Sequence, residues 1–153
     1  MNRKSKISAR GGSALGGENR KFPVRTLVKV LRFNEQGLIP TVIQDVKSKR
    51  VLTLCYLNRE ALEKSLADGK VYVFRRSQNR LMLKGETSGH VQLIKRVYVD
   101  CEGKSLLFAV RQHVAGCHQG YFTCYFRRLA QTGRLAMAER RVFDPAKIYT
   151  RSA

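Results

Sequence analysis

The sequence contains no tryptophan, few acidic residues and no long apolar run. Its apolar runs are far shorter than the roughly 20 residues that a membrane-spanning helix needs. The N-terminus is basic but has no apolar secretory segment. An Arg- and Ser-rich start also occurs in organelle transit peptides, although the glycine pairs here disfavour an amphipathic helix. We therefore expect no membrane association and a cytoplasmic location.

The scarcity of acidic residues leaves a strongly basic chain. Of 153 residues, 30 are Lys or Arg and 11 are Asp or Glu, so the net charge is +19. Such a charge attracts polyanions, either nucleic acids or the phosphates of a small substrate. The basic residues are spread along the chain, and aromatic residues are not interleaved with them as a base-stacking platform requires. The pattern favours a phosphate pocket over a nucleic-acid interface.

Composition and patterning predict one folded domain. Hydrophobic residues make up 43% of the chain, which is enough for a core. Residues 1–24 are predicted to be a basic disordered tail, residues 25–130 the domain, and residues 131–153 a basic C-terminal extension.

The secondary structure expected for this domain is one main helix among short strands. Asn58 is a good N-cap for a helix at residues 59–67, and Gly69 ends it. Residues 22–33 form either a short helix or an irregular lead-in, and residues 130–153 are weakly helical. Strands are predicted at residues 41–45, 50–57, 71–74, 81–83, 91–99, 105–112 and 121–128. This order predicts an α+β fold dominated by antiparallel hairpins.

Four cysteines need an explanation, and a disulfide framework is a poor one without a signal peptide. Cys55 lies in an apolar strand and is predicted to be a small buried hydrophobe. Cys117 and Cys124 are seven positions apart, which is ~23 Å in an extended chain, whereas two zinc-bound sulfurs lie within roughly 4 Å. The chain must therefore fold back between them if they share a metal. On spacing alone, two unconnected core cysteines are an equal alternative.

Cys101 offers a third thiolate, which would leave a fourth zinc position for water, as in catalytic sites. Whether the three sulfurs meet within one subunit stays open. Asp100 and Glu102 flank Cys101 and share a face, which suits a magnesium ion. A solvated acidic turn is an equal alternative, and Lys104 cannot ligate a cation while it is protonated.

The loop at residues 84–90 has the composition of a phosphate-binding loop. Its glycines free backbone amides, and it adds a lysine and two hydroxyl groups. A surface turn is the more common structure for such a stretch. His118 adjoins a proposed zinc ligand and is a candidate proton shuttle, while His113 is treated as structural. The candidate phosphate-binding residues are Arg76, Ser77, Lys84, Thr87, Ser88 and Gly89, and His90 joins His118 as a catalytic candidate.

Taken together, these segments resemble phosphoribosyl-AMP cyclohydrolase, an enzyme family of histidine biosynthesis, in its monofunctional form. The resemblance covers residues 37–129. Its most specific part is the run KGETSGHVQ at residues 84–92. The other motifs are Leu54-Cys55-Tyr56-Leu57-Asn58, Arg76-Ser77, Asp100-Cys101-Glu102, and Cys117-His118 with Gly120 and Cys124.

The resemblance implies an intertwined homodimer with a pseudobarrel-like mixed sheet. Zinc sites would lie between subunits, with Cys101 from one chain and Cys117 and Cys124 from the other. The implied reaction is hydrolysis of the adenine ring of phosphoribosyl-AMP between N1 and C6, giving the formimino-type aminoimidazole carboxamide ribonucleotide. A zinc-bound water would attack C6, and His118 is the candidate acid for N1.

The sequence departs from the family pattern in its acidic turn. Glu102 and Lys104 replace the second and third aspartates of that turn, so we predict a weakened magnesium requirement. Met82 stands in place of the family's tryptophan and Arg75 in place of a serine. Two other functions stay open: a zinc-binding paralogue acting on another purine-like nucleotide, and a basic zinc module that binds nucleic acid.

Overall fold

A computed structural model describes residues 21–149 of the chain. Residues 1–20 of the predicted tail and residues 150–153 of the predicted extension lie outside the described residues. The helices are Val24–Val30 (α1), Arg59–Asp68 (α2) and Pro145–Ile148 (α3), with a short 3₁₀ turn at Arg76–Gln78. The strands are Ile39–Asp45 (β1), Val51–Leu57 (β2), Tyr72–Arg75 (β3), Arg80–Leu83 (β4), Gln92–Val99 (β5), Leu106–Gln112 (β6), Arg127–Leu129 (β7) and Leu135–Met137 (β8).

The main sheet has four strands in the order β2-β1-β6-β5. The pairs β1–β2 and β5–β6 are antiparallel hairpins, as predicted. The central pair β1–β6 is parallel and joins the two hairpins, so the sheet is mixed. Alternate residues of β1 are buried, and Ile39 and Ile43 are fully enclosed in the core. The pairs β3–β4 and β7–β8 form two further small sheets.

Helix α2 begins and ends within one residue of the prediction. The Asn58 side chain accepts a hydrogen bond of 2.9 Å from the backbone N–H of Ala61, which satisfies a donor at the helix start. The buried face of the helix carries Leu62 and Leu66, which join the core beside the main sheet. Burial of each leucine side chain contributes roughly 1.5–3 kcal/mol, so this face fixes α2 to the sheet.

The strand predicted at residues 121–128 is wrong, since only Arg127–Leu129 is extended in a ladder. The preceding residues instead attach to β2. The Thr123 hydroxyl donates to the carbonyl of Val51 at 2.8 Å, and the Cys124 amide donates to that of Leu52 at 2.8 Å. These contacts hold the segment in an irregular path that regular strand pairing would not allow.

The α+β class and the mixed sheet are confirmed. The strands within residues 21–149 form three separate sheets and close no barrel in a single chain. The pseudobarrel, the homodimer and the predicted domain boundaries stay predictions. Phe22 and Val24, at the end of the predicted tail, pack against the core. None of the helices in this part of the chain is long and apolar enough to cross a membrane.

Candidate active site

A cavity of about 770 Å³ lies between three segments of the chain. These are the loop at residues 84–90, the loop from Cys117 to Cys124, and a C-terminal segment from Arg141 to Tyr149. The cavity has the size of a typical small-molecule site. Of the predicted site residues, it brings together Lys84, Thr87, Ser88, His90, Cys117, His118 and Cys124.

The loop at residues 84–90 is held tightly at its base. Gly85 has a φ of 91°, and a Cβ there would overlap the backbone of His90, so only glycine fits. The amide of Gly89 donates to the Gly85 carbonyl at 2.9 Å. Lys84 reaches across the cavity, and its Nζ donates to the Gly116 carbonyl at 3.1 Å. The lysine therefore joins this loop to the start of the cysteine loop.

The cysteine loop reverses direction between its two thiols. The amide of Gly120 donates to the Cys117 carbonyl at 3.1 Å, and the amide of Cys117 donates to the Tyr121 carbonyl at 3.2 Å. Burial raises the pKa of the Cys117 thiol. The backbone amide of Gln119 lowers this pKa, and the neighbouring Cys124 raises it. The turn thus brings both cysteines to the lining of one cavity.

A hydrogen-bonded pair of glutamine side chains fastens the cysteine loop to the main sheet. Gln92 is fully buried at the start of β5, and its Nε2 donates to Oε1 of Gln112 at 2.7 Å. Nε2 of Gln112 donates in turn to the Phe122 carbonyl at 2.7 Å. Within residues 21–149, Oε1 of Gln92 has no hydrogen-bond partner. This chain of bonds links the strand that follows the 84–90 loop to the segment that carries Cys124.

Two histidines border the cavity in different surroundings. His90 packs edge-on against Phe143, with ring centroids 4.9 Å apart, and its ring lies 6.3 Å from that of His113. Burial lowers the pKa of His90, and the charge of His113 lowers it further. His118 also lines the cavity but is exposed. His90 is therefore kept neutral near pH 7, whereas His118 is open to solvent and substrate.

Cys101 lies outside this cavity. It is exposed in the turn between β5 and β6, where it lines a separate groove beside the end of α1. Across residues 21–149, no three His, Cys, Asp or Glu side chains of the single chain cluster as a metal site. One chain therefore offers a pair of thiols at the cavity and a third thiol elsewhere on its surface.

The acidic turn around Cys101 does not fit a magnesium ion. Oδ1 of Asp100 accepts from the Lys104 amide at 2.7 Å, and Oδ2 accepts from the Ser105 hydroxyl at 2.7 Å. This hydroxyl and the backbone amides lower the pKa of Asp100. Nζ of Lys104 lies 3.2 Å from Oε1 of Glu102. Both carboxylates already have donors from the turn itself, and the positive charge of Lys104 lies beside Glu102.

Some predicted site residues are not brought to the cavity, and some of its lining residues were not predicted. Arg76 and Ser77 form the 3₁₀ turn away from the lining, and the Arg76 guanidinium lies 4.5 Å from the centre of the Tyr56 ring. Gly89 belongs to the loop but not to the lining. One sequence signal could have indicated the C-terminal segment of the cavity. Asp144-Pro145 is typical of a helix start, with the aspartate as N-cap and proline at the first helical position. The lining residues that sequence reasoning missed as site residues include Arg75, Arg141, Pro145, Ala146 and Tyr149.

Two thiols and a glycine-bounded loop with one lysine line a cavity of small-molecule size, which is the candidate active site of an enzyme. The sequence model of the family described as phosphoribosyl-AMP cyclohydrolase matches residues 53–126. A phosphoribosyl-AMP cyclohydrolase of Pelotomaculum thermopropionicum is 44% identical over 119 residues, covering 78% of this chain and 92% of that protein. The chain belongs to the phosphoribosyl-AMP cyclohydrolase family, which confirms the resemblance seen in the sequence.

Two further relatives show the same similarity. A phosphoribosyl-AMP cyclohydrolase of Chlorobium chlorochromatii is 38% identical over 125 residues, covering 82% of this chain and 91% of that protein. The histidine biosynthesis bifunctional protein HisIE of Thermoanaerobacter pseudethanolicus is 44% identical over 126 residues, covering 82% of this chain and 58% of that protein. The relatives named as cyclohydrolases and the relative named as bifunctional thus all contain a region that aligns with most of this chain.

Proposed function

We propose that this protein catalyses the zinc-dependent hydrolysis of the adenine ring of 1-(5-phosphoribosyl)-AMP at the N1–C6 bond, in histidine biosynthesis. One observation carries the proposal: in a member of this family, the thiols of Cys117 and Cys124 share a cavity with the Lys84 loop. The cysteines described here are all free, which suits the reducing cytoplasm.

The residues of the cavity fit a zinc ion in the chemistry of their donors. Thiolates are preferred zinc ligands, and Cys117 and Cys124 line the same cavity. Cys101 lies too far from this pair to join it within one chain, so the third ligand would be the partner subunit's Cys101 in a homodimer. When bound, zinc supplies Lewis-acid activation of water at neutral pH.

The loop at residues 84–90 is suited to hold a phosphate of the substrate. Lys84 supplies a positive charge, and Thr87 and Ser88 supply hydroxyl donors at the cavity surface. Because Nζ of Lys84 is held near Gly116, a phosphate bound here lies next to the cysteine loop. The loop thereby positions the purine between the phosphate site and the paired thiols.

Ring opening requires a proton at N1 as its bond to C6 breaks. His118 is exposed at the cavity and free to donate this proton. His90 is kept neutral by its lowered pKa and is suited to accept a hydrogen bond or a proton. The two histidines therefore have the properties of an acid and a base in the same cavity.

The experiment mixes two inactive variants, Cys101→Ser and Cys117→Ser. If each site takes Cys101 from one chain and Cys117 from the other, a mixed dimer has one intact site of two. Half of the dimers in an equal mixture are mixed, so turnover of phosphoribosyl-AMP should recover to about a quarter of wild type. Zinc content should recover in parallel. No recovery from a mixture that forms dimers would refute the shared site.

The altered acidic turn favours one alternative, a zinc-binding paralogue acting on another purine-like nucleotide. Lys104 beside Glu102 is the feature that motivates it. Complementation of a histidine auxotroph separates the two functions. Growth supports the cyclohydrolase, whereas stable expression without growth favours the paralogue.

A further inference from the structure

The C-terminal segment forms one wall of the cavity. Its lining side chains are Arg141, Pro145, Ala146 and Tyr149. All four follow the motifs that carry the family resemblance in the sequence. These residues lie beyond the matched region at residues 53–126. The segment therefore adds side chains to the cavity that the family motifs do not include.

This wall is fastened to the cysteine loop by backbone contacts. The amide of Val142 donates to the Gly120 carbonyl at 2.7 Å. A Cβ on Gly120 would overlap the carbonyl oxygen of Phe143, so the glycine allows the two segments to approach. The Phe143 ring packs on His90. The segment is thus held against both of the other cavity walls.

Arg141 is the cationic side chain that this wall presents to the cavity. Its Nε donates to the Gln119 carbonyl at 3.0 Å, and its guanidinium carbon lies 5.6 Å from the centre of the Tyr121 ring. Among the described residues, its two terminal amino groups have no hydrogen-bond acceptor or ion-pair partner. The guanidinium is held at one edge, and its other donors remain available to an anion.

No acidic side chain of the cavity lining competes for Arg141. Glu86 is the one carboxylate among the described lining residues, and it pairs with Arg80 at 2.5 Å. A fixed guanidinium presents paired N–H donors that match two oxygens of a phosphate. Its partial anchoring also lowers the entropy lost on binding. The wall therefore has the features of a second anion site.

We propose that Arg141 binds the phosphate of the substrate that the loop at residues 84–90 does not hold. The inference rests on the proposed function, because phosphoribosyl-AMP carries a phosphate on each of its two ribosyl groups. Lys84 and Arg141 lie on different walls of one cavity, so each is available to a different end of the substrate. Arg141 is thus assigned to substrate binding rather than to the chemical step.

The first test compares Arg141→Met with Arg140→Met. Both remove one positive charge, but Arg140 does not line the cavity. We expect the KM of Arg141→Met to rise about 10- to 100-fold, as for loss of a charge-assisted hydrogen bond, with kcat nearly unchanged. Arg141→Lys should fall between the two, because lysine keeps the charge but not the paired donors. An equal effect of Arg140→Met would refute a specific site.

The second test measures binding of AMP and of ribose 5-phosphate by calorimetry. Each fragment carries one of the two phosphates, so Arg141→Met should weaken one of them about tenfold or more and spare the other. Equal weakening of both fragments or a loss of zinc would show that Arg141 acts through the cysteine loop, and no weakening would show that it holds neither phosphate; each result would overturn the proposal. Fragment binding needs no turnover, so failure of the proposed reaction is recognised separately in the wild-type assay.

Discussion

The two cysteine-bearing turns of this protein are built in different ways. The loop from Cys117 to Cys124 lines the cavity and is held to the sheet through the hydrogen-bonded side-chain amides of Gln92 and Gln112. The turn around Cys101 is exposed and is held by hydrogen bonds among its own residues. One chain therefore completes the walls of its own cavity, whereas the thiol of Cys101 faces outward on a separate surface.

The largest effect is expected from the thiols of the cavity. Cys117→Ser should lower turnover more than about 100-fold, beyond the 10- to 100-fold typical of residues that only support metal ligands. Cys55→Ser is the matched control, since burial raises the pKa of Cys55 to about 12 and keeps it a neutral thiol. Zinc analysis of both variants checks this. Loss of zinc from Cys55→Ser would contradict the assignment of the ligands.

The hydrogen-bonded glutamine pair should make the next largest contribution. Gln112→Met keeps the side-chain length but removes the acceptor for Nε2 of Gln92, leaving the fully buried Gln92 amide without a partner. We expect a loss of roughly 1–3 kcal/mol in the free energy of unfolding, the usual cost of an unsatisfied buried group. Urea denaturation measures it. A change within about 0.5 kcal/mol would mean that the pair does not stabilise the cavity side.

A single substitution at Lys104 should create a cation site in the exposed turn around Cys101. Lys104→Asp replaces a positive by a negative charge beside Asp100 and Glu102. One unit charge 4 Å from a divalent ion changes its energy by about 2 kcal/mol even in water, and the substitution changes the charge by two units, so Mg²⁺ should bind at least about tenfold more tightly. Calorimetry with Mg²⁺ measures this, and Lys104→Met controls for loss of charge alone. Tight Mg²⁺ binding by the wild type would refute our assignment.

The smallest effect is expected at Asp100. Its pKa is lowered first by the Ser105 hydroxyl and then by backbone amides, so the contribution to stability is present above the ordinary aspartate pKa of about 3.9 and is lost as pH falls through the folded value. Ser105→Ala should raise this pKa and lower stability slightly above the ordinary aspartate pKa, while leaving stability unchanged below the folded value. An NMR titration of the Asp100 carboxyl follows it. An unchanged pKa would show that the hydroxyl bond is absent in solution.

Local signals predicted the parts of the fold that depend on near neighbours. The caps at Asn58 and Gly69 gave α2 almost to the residue, because they act within one helical turn. The composition of residues 84–90 likewise indicated a polar loop bounded by glycine, and the structure has such a loop in the cavity lining. In both cases the residues that determine the helix or the loop lie within that element or directly beside it in the sequence.

Contacts distant in sequence were not predicted. The parallel pairing of β1 with β6 joins residues more than 60 positions apart, and periodicity gives no direction for such a pair. The segment before β7 has the composition of a strand, yet Thr123 is held on β2 by the carbonyls of Val51 and Leu52. The cavity wall containing Arg141 was not predicted for the same reason, although Asp144-Pro145 in the sequence indicates the start of its short helix.

The C-terminal wall has a consequence for synthesis of the protein on the ribosome. A nascent chain that has emerged as far as Leu129 already contains every strand of the main sheet and both thiols of the cavity. Its cavity still lacks Arg141, Pro145 and Tyr149, and His90 lacks Phe143. The pocket is therefore completed only after the scaffold can fold, so partly made chains and chains carrying bulky tags close to Tyr149 should fold without forming a complete binding pocket.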